Sequence, residues 1–227
     1  MKKILLLLTL SAVLNTNEGS EMAWVSTNNY LSQSDMENNA ALVWEFFGSR
    51  GWTIEAVSAM LGNMQKESTI NPGIWESLTP YGGGYGLTQW TPYTKYSLWA
   101  GNQWEGNGDL ECQRIQYEVT LTGADAQWIP TANYPETFLQ FTQSTASVSY
   151  LTSAFMHNYE RPASYATEAE RQGYAASWYT YLSGQPAPPV DPTPPDEPTA
   201  LDQIPVWMYL VWGQKWRQNF TVGKRFV

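Results

Sequence analysis

A chain of 227 residues has room for one medium domain with appended segments, or for two very small ones. Its make-up, 43% hydrophobic and 15% charged, is that of a folded protein and excludes wholesale disorder. The net charge of −9 is uneven: residues 201–227 hold Lys215, Arg217, Lys224 and Arg225 against Asp202, a net +3, which leaves −12 on residues 1–200. A body that acidic repels phosphate backbones and argues against nucleic-acid binding.

In chain order, Lys2 and Lys3 precede the apolar run Ile4–Leu10. That is the pattern of a short secretory signal, too short to span a bilayer. Met22 is a second plausible start, so residues 1–21 read as a signal peptide or an upstream extension. From about Ser32 to Gly184 the rhythm is that of short helices. Ser34 with Glu37 reads as a capping box, followed by Met36, Ala40, Val43 and Phe47 at helical spacing. Gly51 ends that helix, and Thr53 caps a second one with Ile54, Val57, Leu61 and Met64 as its stripe. Pro72 places its end near Ser68–Asn71.

Residues 73–90 break the rhythm, and the run Tyr81-Gly-Gly-Gly-Tyr-Gly86 reads as a loop or tight hairpin. Helices resume at Thr91-Pro92, read as a cap followed by a first-turn proline, and again near Asp109, Pro135 and Thr145–Ser147. The last begins at Thr167, boxed by Glu170. Residues 185–200 contain seven of the chain's 14 prolines and read as an extended spacer. The expected class is therefore mainly α, in an α+β manner: a helical domain over residues 22–184 with a small glycine-rich hairpin or loop.

Lone Cys112 cannot form an internal disulfide and reads as a semi-buried thiol. With His157 the only histidine, zinc sites built on two or more His are excluded, as is Ser-His or Cys-His catalysis through any other His. Chemistry here has to run on carboxylates, amides and hydroxyls, and no metal or cofactor is called for. The 12 Trp and 14 Tyr are mostly core, with a sugar-gripping cleft as the minority reading.

Glu67 stands out within Leu61-Gly-Asn-Met-Gln-Lys-Glu-Ser68. A helical wheel sets it beside Met60, at the edge of the apolar stripe. A carboxyl there is partly desolvated, which favours its protonated form and suits it to protonate a leaving oxygen. An exposed helix-end glutamate is the plainer alternative. The segments GNMQKES (62–68), NPGIWE (71–76), GYGLTQW (84–90), TPYTKYSLWA (91–100) and YERP (159–162) occur in one order. Together they resemble the phage tail lysozyme domains over roughly residues 22–184.

The resemblance implies that Glu67 is the catalytic glutamate of a peptidoglycan glycosidase, and that Tyr85 and Gln89 face it across a cleft. Trp90, Glu76, Tyr159 and Glu160 are further substrate-binding candidates. Against these stand plainer readings: loop bracing for Gln89, core packing for Tyr85 and Trp90, and a structural Glu160–Arg161 ion pair. The second carboxylate that most glycosidases use is open among Glu76, Asp109 and Glu160. Without one, a lytic transglycosylase is the alternative; a rival of a different class is a non-catalytic wall-binding or tail-structural protein with a dead lysozyme fold. The expected partner is the glycan strand, and the expected place is the virion tail or, given the leader-like start, the cell wall. Residues 201–227, aromatic and basic, are expected to dock onto other tail proteins or a membrane surface.

Overall fold

The computed structural model describes residues 22–123 and 126–189. The leader-like start, most of the proline-rich spacer and the aromatic-basic tail lie outside the described residues.

Among the described residues seven α-helices carry the fold: α1 (Gln33–Ser49), α2 (Ile54–Ser68), α3 (Thr94–Ala100), α4 (Gly108–Glu118), α5 (Phe138–Thr142), α6 (Val148–Phe155) and α7 (Glu168–Ser183). Among the described residues there is no β-strand. The glycine-rich run is not a stranded hairpin but an irregular loop, closed by one isolated antiparallel bridge between Trp75 and Tyr85. The expectation of a mainly helical protein therefore holds, without the hairpin.

Helix α2 is the central rod. Thr53 caps it as expected, its hydroxyl accepting from the Ala56 N–H at 3.2 Å. Residues Ala56–Met64 are buried without interruption, so the helix is wrapped on more sides than a single stripe implies. It packs mainly on α7 and α6. Gly62 sets the closeness of the α7 contact: a Cβ there would lie 2.6 Å from Ala175 Cβ and 2.6 Å from the Arg171 carbonyl. The helix ends at Ser68, with Thr69 and Ile70 both at a φ of 55°.

Several start signals shift. Ser32, not Ser34, caps α1, because it is the Ser32 hydroxyl that accepts from the Asp35 N–H. Thr91 turns its hydroxyl back to the Gln89 carbonyl, and α3 begins three residues later. Thr137 with Gln140 forms the capping box of α5. The expected box at Thr167 does not form, since its hydroxyl accepts from Arg171 Nε at 3.2 Å and Glu170 pairs instead with Lys66 at 2.8 Å. After α6 the chain widens into one π-helical turn, Met156–Glu160, closed by the Arg161 N–H on the Met156 carbonyl at 2.8 Å. Such turns recur at functional sites.

Two aromatic clusters brace this frame. Trp52, Phe138, Phe141, Trp128, Phe155 and Tyr159 pack in sequence behind the π-turn. Trp75, Tyr85, Tyr93, Tyr96, Trp90 and Trp104 support the irregular loop.

Candidate active site

A cleft of about 710 Å³ opens between the C-terminal end of α2, the loops around residues 74–77 and 88–91, and the π-turn with the three residues after it. Glu67, Glu76, Gln89, Trp90, Tyr159 and Glu160 all line it. Six of the seven residues singled out in the sequence thus converge on one hollow. Tyr85 does not line it: the ring is buried between Trp75 and Trp104, and its hydroxyl accepts from the Gly106 N–H at 2.6 Å. Burial, first of all, pushes the Tyr85 phenol well above its ordinary range. The plainer reading of Tyr85, core packing, is the correct one.

Glu67 projects from the last turn of α2 with its side chain 21% exposed, at the rim and not bathed in solvent. Its Oε1 accepts from Arg171 Nη2 at 2.5 Å. Arg171, on α7, is buried and fixed in orientation, because Nη1 donates to Asn63 Oδ1 at 3.1 Å and Nε to Thr167 Oγ1. Among the described residues Glu67 is its only acidic partner, and Glu67 Oε2 accepts no protein hydrogen bond. One oxygen of Glu67 is therefore anchored and the other is available to the cleft.

The opposite wall is held by side chains that spend their polar atoms on the loop. Gln89 donates to the Ile74 and Gly86 carbonyls, both at 3.1 Å, and so braces the turn, keeping only its own Oε1 for a ligand. Glu76 Oε2 accepts from the Gly84 N–H at 2.8 Å. Gly83, at a φ of 83°, makes room for it: a Cβ there would overlap the Glu76 carboxylate. Trp90 is buried, stacked on Tyr96 and donating from Nε1 to Glu118 Oε1 at 3.2 Å. Tyr159 is buried too, its hydroxyl donating to Glu118 Oε2.

Glu160 differs from all of these. The expected ion pair with Arg161 is absent, because Arg161 Nη1 donates to the Gln127 and Asn158 carbonyls. Glu160 Oε1 is buried with no hydrogen-bond partner. Burial, and then the negative charge of Glu67, hold the Glu160 carboxyl well above the usual carboxylate range. Glu160 is thus a second carboxyl in the cleft, and a drier one than the half-buried Glu67. Asp109, the third candidate for a second carboxylate, accepts from Trp24 Nε1 at 2.9 Å and does not line the cleft.

Sequence reasoning missed Arg171, Tyr30, Lys95 and the two carboxyls of α4. Arg171 and Glu67 are 104 residues apart, and nothing local announces their meeting. Tyr30, 64% exposed, lines the cleft with no motif around it, and Lys95 does so from within the TPYTKYSLWA segment. Glu111 and Glu118 were legible: with Cys112 and Ile115 they occupy the buried face of α4. Glu111 Oε2 accepts from the Leu87 N–H at 2.6 Å, and Glu118 receives Arg114 at 2.8 Å besides Trp90 and Tyr159. Desolvation raises both carboxyls above their ordinary range.

A cleft with a helix-end carboxylate on one side and a braced Gly-Leu-Thr-Gln turn on the other invites comparison with known proteins. The family profile described as phage tail lysozyme matches residues 38–182. The chain belongs to the phage tail lysozyme family. It is also similar to morphogenesis protein 1 of Bacillus phage B103, 43% identical over 168 residues, covering 70% of this chain and 43% of that protein. The chain thus spans less than half the length of that curated relative. Its similarity is to phage-associated, lysozyme-like proteins.

Proposed function

We propose that this chain is a muramidase of the phage tail lysozyme family, cutting the β-1,4 bond between N-acetylmuramic acid and N-acetylglucosamine in peptidoglycan. The observation that carries the reading is Glu67: anchored by Arg171 through one oxygen, with the other unclaimed by any described residue, at the rim of a cleft lined by amides and aromatics. Proton delivery to the glycosidic oxygen lets the C1–O bond break with its electron pair passing to that oxygen, and water completes the substitution at C1. Gln89 Oε1 and the exposed ring of Tyr30 are the groups that would hold sugar, by hydrogen bond and by stacking. In this reading residues 22–184 are the catalytic domain, residues 185–200 a spacer, and residues 201–227 a docking segment for other tail proteins or a membrane surface. The protein would act from the virion tail on the wall during infection.

Mass spectrometry of digested peptidoglycan tests the reaction. Reducing N-acetylmuramic acid ends support hydrolysis, anhydro ends identify a lytic transglycosylase, and intact glycan bound to the protein identifies a wall binder. Glu67→Gln should lower the clearing rate of a peptidoglycan suspension by ~10²–10⁴-fold while the helical circular-dichroism spectrum shows the fold retained. Clearing at the wild-type rate would remove Glu67 from the chemistry.

A further inference from the structure

The cleft contains a carboxyl that the reaction above does not use. Glu160 closes the π-turn, lines the same hollow as Glu67, and keeps one oxygen buried and unpartnered. The charges that act on it are those of Glu67 from α2, Arg171 from α7, neighbouring Arg161 and Glu118 from α4, and the titratable phenol beside it is that of Tyr159. The two guanidiniums are otherwise engaged. Arg171 is committed to Glu67, Asn63 and Thr167, and Arg161 to two backbone carbonyls. Glu118 already receives Arg114, Trp90 and Tyr159.

We infer that Glu160 is the proton-holding partner of Glu67: the two carboxyls form a pair that carries one proton, and Glu160 stores it while Arg171 stabilises the charge on Glu67. Two carboxyls beside one committed guanidinium cannot both ionise cheaply, and the drier member is where a proton rests. A bare charge on an unpartnered buried carboxylate oxygen is strongly disfavoured, whereas a protonated carboxyl avoids it. During turnover the pair gives its proton to the departing glycosidic oxygen, and water, on attacking C1, returns one to the pair, so the proton count closes. Glu160 acts through Glu67 and is a positioning residue.

The inference rests on the glycosidase reading for its role and not for its protonation, so two readouts on the full-length protein keep them apart. Infrared difference spectra across a pH titration report protonated carboxyls directly. Wild type should show a protonated carboxyl near neutral pH that disappears in Glu160→Gln. In Glu67→Gln the same band should titrate at lower pH, because the neighbouring negative charge has gone. Bands from buried Glu111 and Glu118 should persist in both variants. In clearing assays Glu160→Gln should be slowed roughly 10²-fold with the basic limb of its pH profile moved to lower pH, while Glu160→Asp should move that limb back. Wild-type rate and profile in Glu160→Gln would overturn the inference, as would a Glu160 band unmoved by Glu67→Gln. Should Glu160→Gln fail to fold, the shift in Glu67→Gln still decides. Wild-type protein that leaves peptidoglycan uncut would sink the glycosidase reading alone.

Discussion

The two walls of the cleft are built on different physics. The helical wall, α2 against α7, presents its charges on rigid rods, and the Arg171–Glu67 pair is fixed by side-chain contacts across a tight helix crossing. The loop wall has almost no regular structure. Its shape comes from backbone groups tied to side chains: Gly84 N–H on Glu76, Leu87 N–H on buried Glu111, and two carbonyls on half-buried Gln89. Reacting groups on helices hold their geometry to fractions of an ångström, while a loop tied at a few points can adapt to a sugar. The contrast suggests that damage to the helical wall lowers stability and turnover together, whereas damage to the loop wall shows first in substrate affinity.

The sharpest way to break this contrast is Arg171→Met. Removing one member of a buried charge pair leaves the other uncompensated, at about 3–5 kcal/mol. The loss should appear as a lower denaturation midpoint with an unchanged slope. Gly62→Ala comes next. Its new Cβ meets Ala175 and the Arg171 carbonyl at 2.6 Å, and overpacking of that kind costs about 1–3 kcal/mol. Because it also moves the Arg171 backbone, clearing should slow even though neither charged side chain is altered.

On the loop wall, Glu111→Leu leaves the Leu87 N–H without its acceptor, at about 1–2 kcal/mol. Amide exchange at Leu87 should accelerate, and the Michaelis constant should rise more than the turnover number falls. The smallest effect is expected from Lys66→Ala. It removes a second α2–α7 ion pair whose members are 36% and 40% exposed, and pairs so well solvated contribute about 0–1 kcal/mol. A large loss there would mean that the helical wall is held by its surface charges and not by the buried pair.

How much of this was legible depended on how local each signal was. Thr53 and the apolar positions of α2 fixed that helix because cap and stripe lie within one segment. Glu67 was placed at the edge of the stripe by the helical wheel, and its partial exposure agrees. The wheel could not supply Arg171, which arrives from α7 only because Gly62 lets two distant helices touch. Tyr85 was misjudged for a related reason. Its neighbour in sequence, Gly86, belongs to a turn at the cleft, but the loop folds irregularly, and the Tyr85 ring faces Trp104 and the Gly106 N–H. Glu160 beside Arg161 looked like a pair by adjacency. Carbonyls of the π-turn region and of residue 127 outcompeted it for the guanidinium.

That wide turn after α6 has a consequence for how the molecule tolerates length changes. It accommodates one more residue than an ordinary helical turn, and each residue of helix advances the chain by about 100°. Deleting a single residue between 156 and 159 would let the segment relax to regular winding, with the same closing hydrogen bond and Glu160 still one turn beyond the helix. An insertion has no such slack to use and would swing the carboxyl from its pocket, so this short stretch should admit a one-residue deletion far more readily than an insertion.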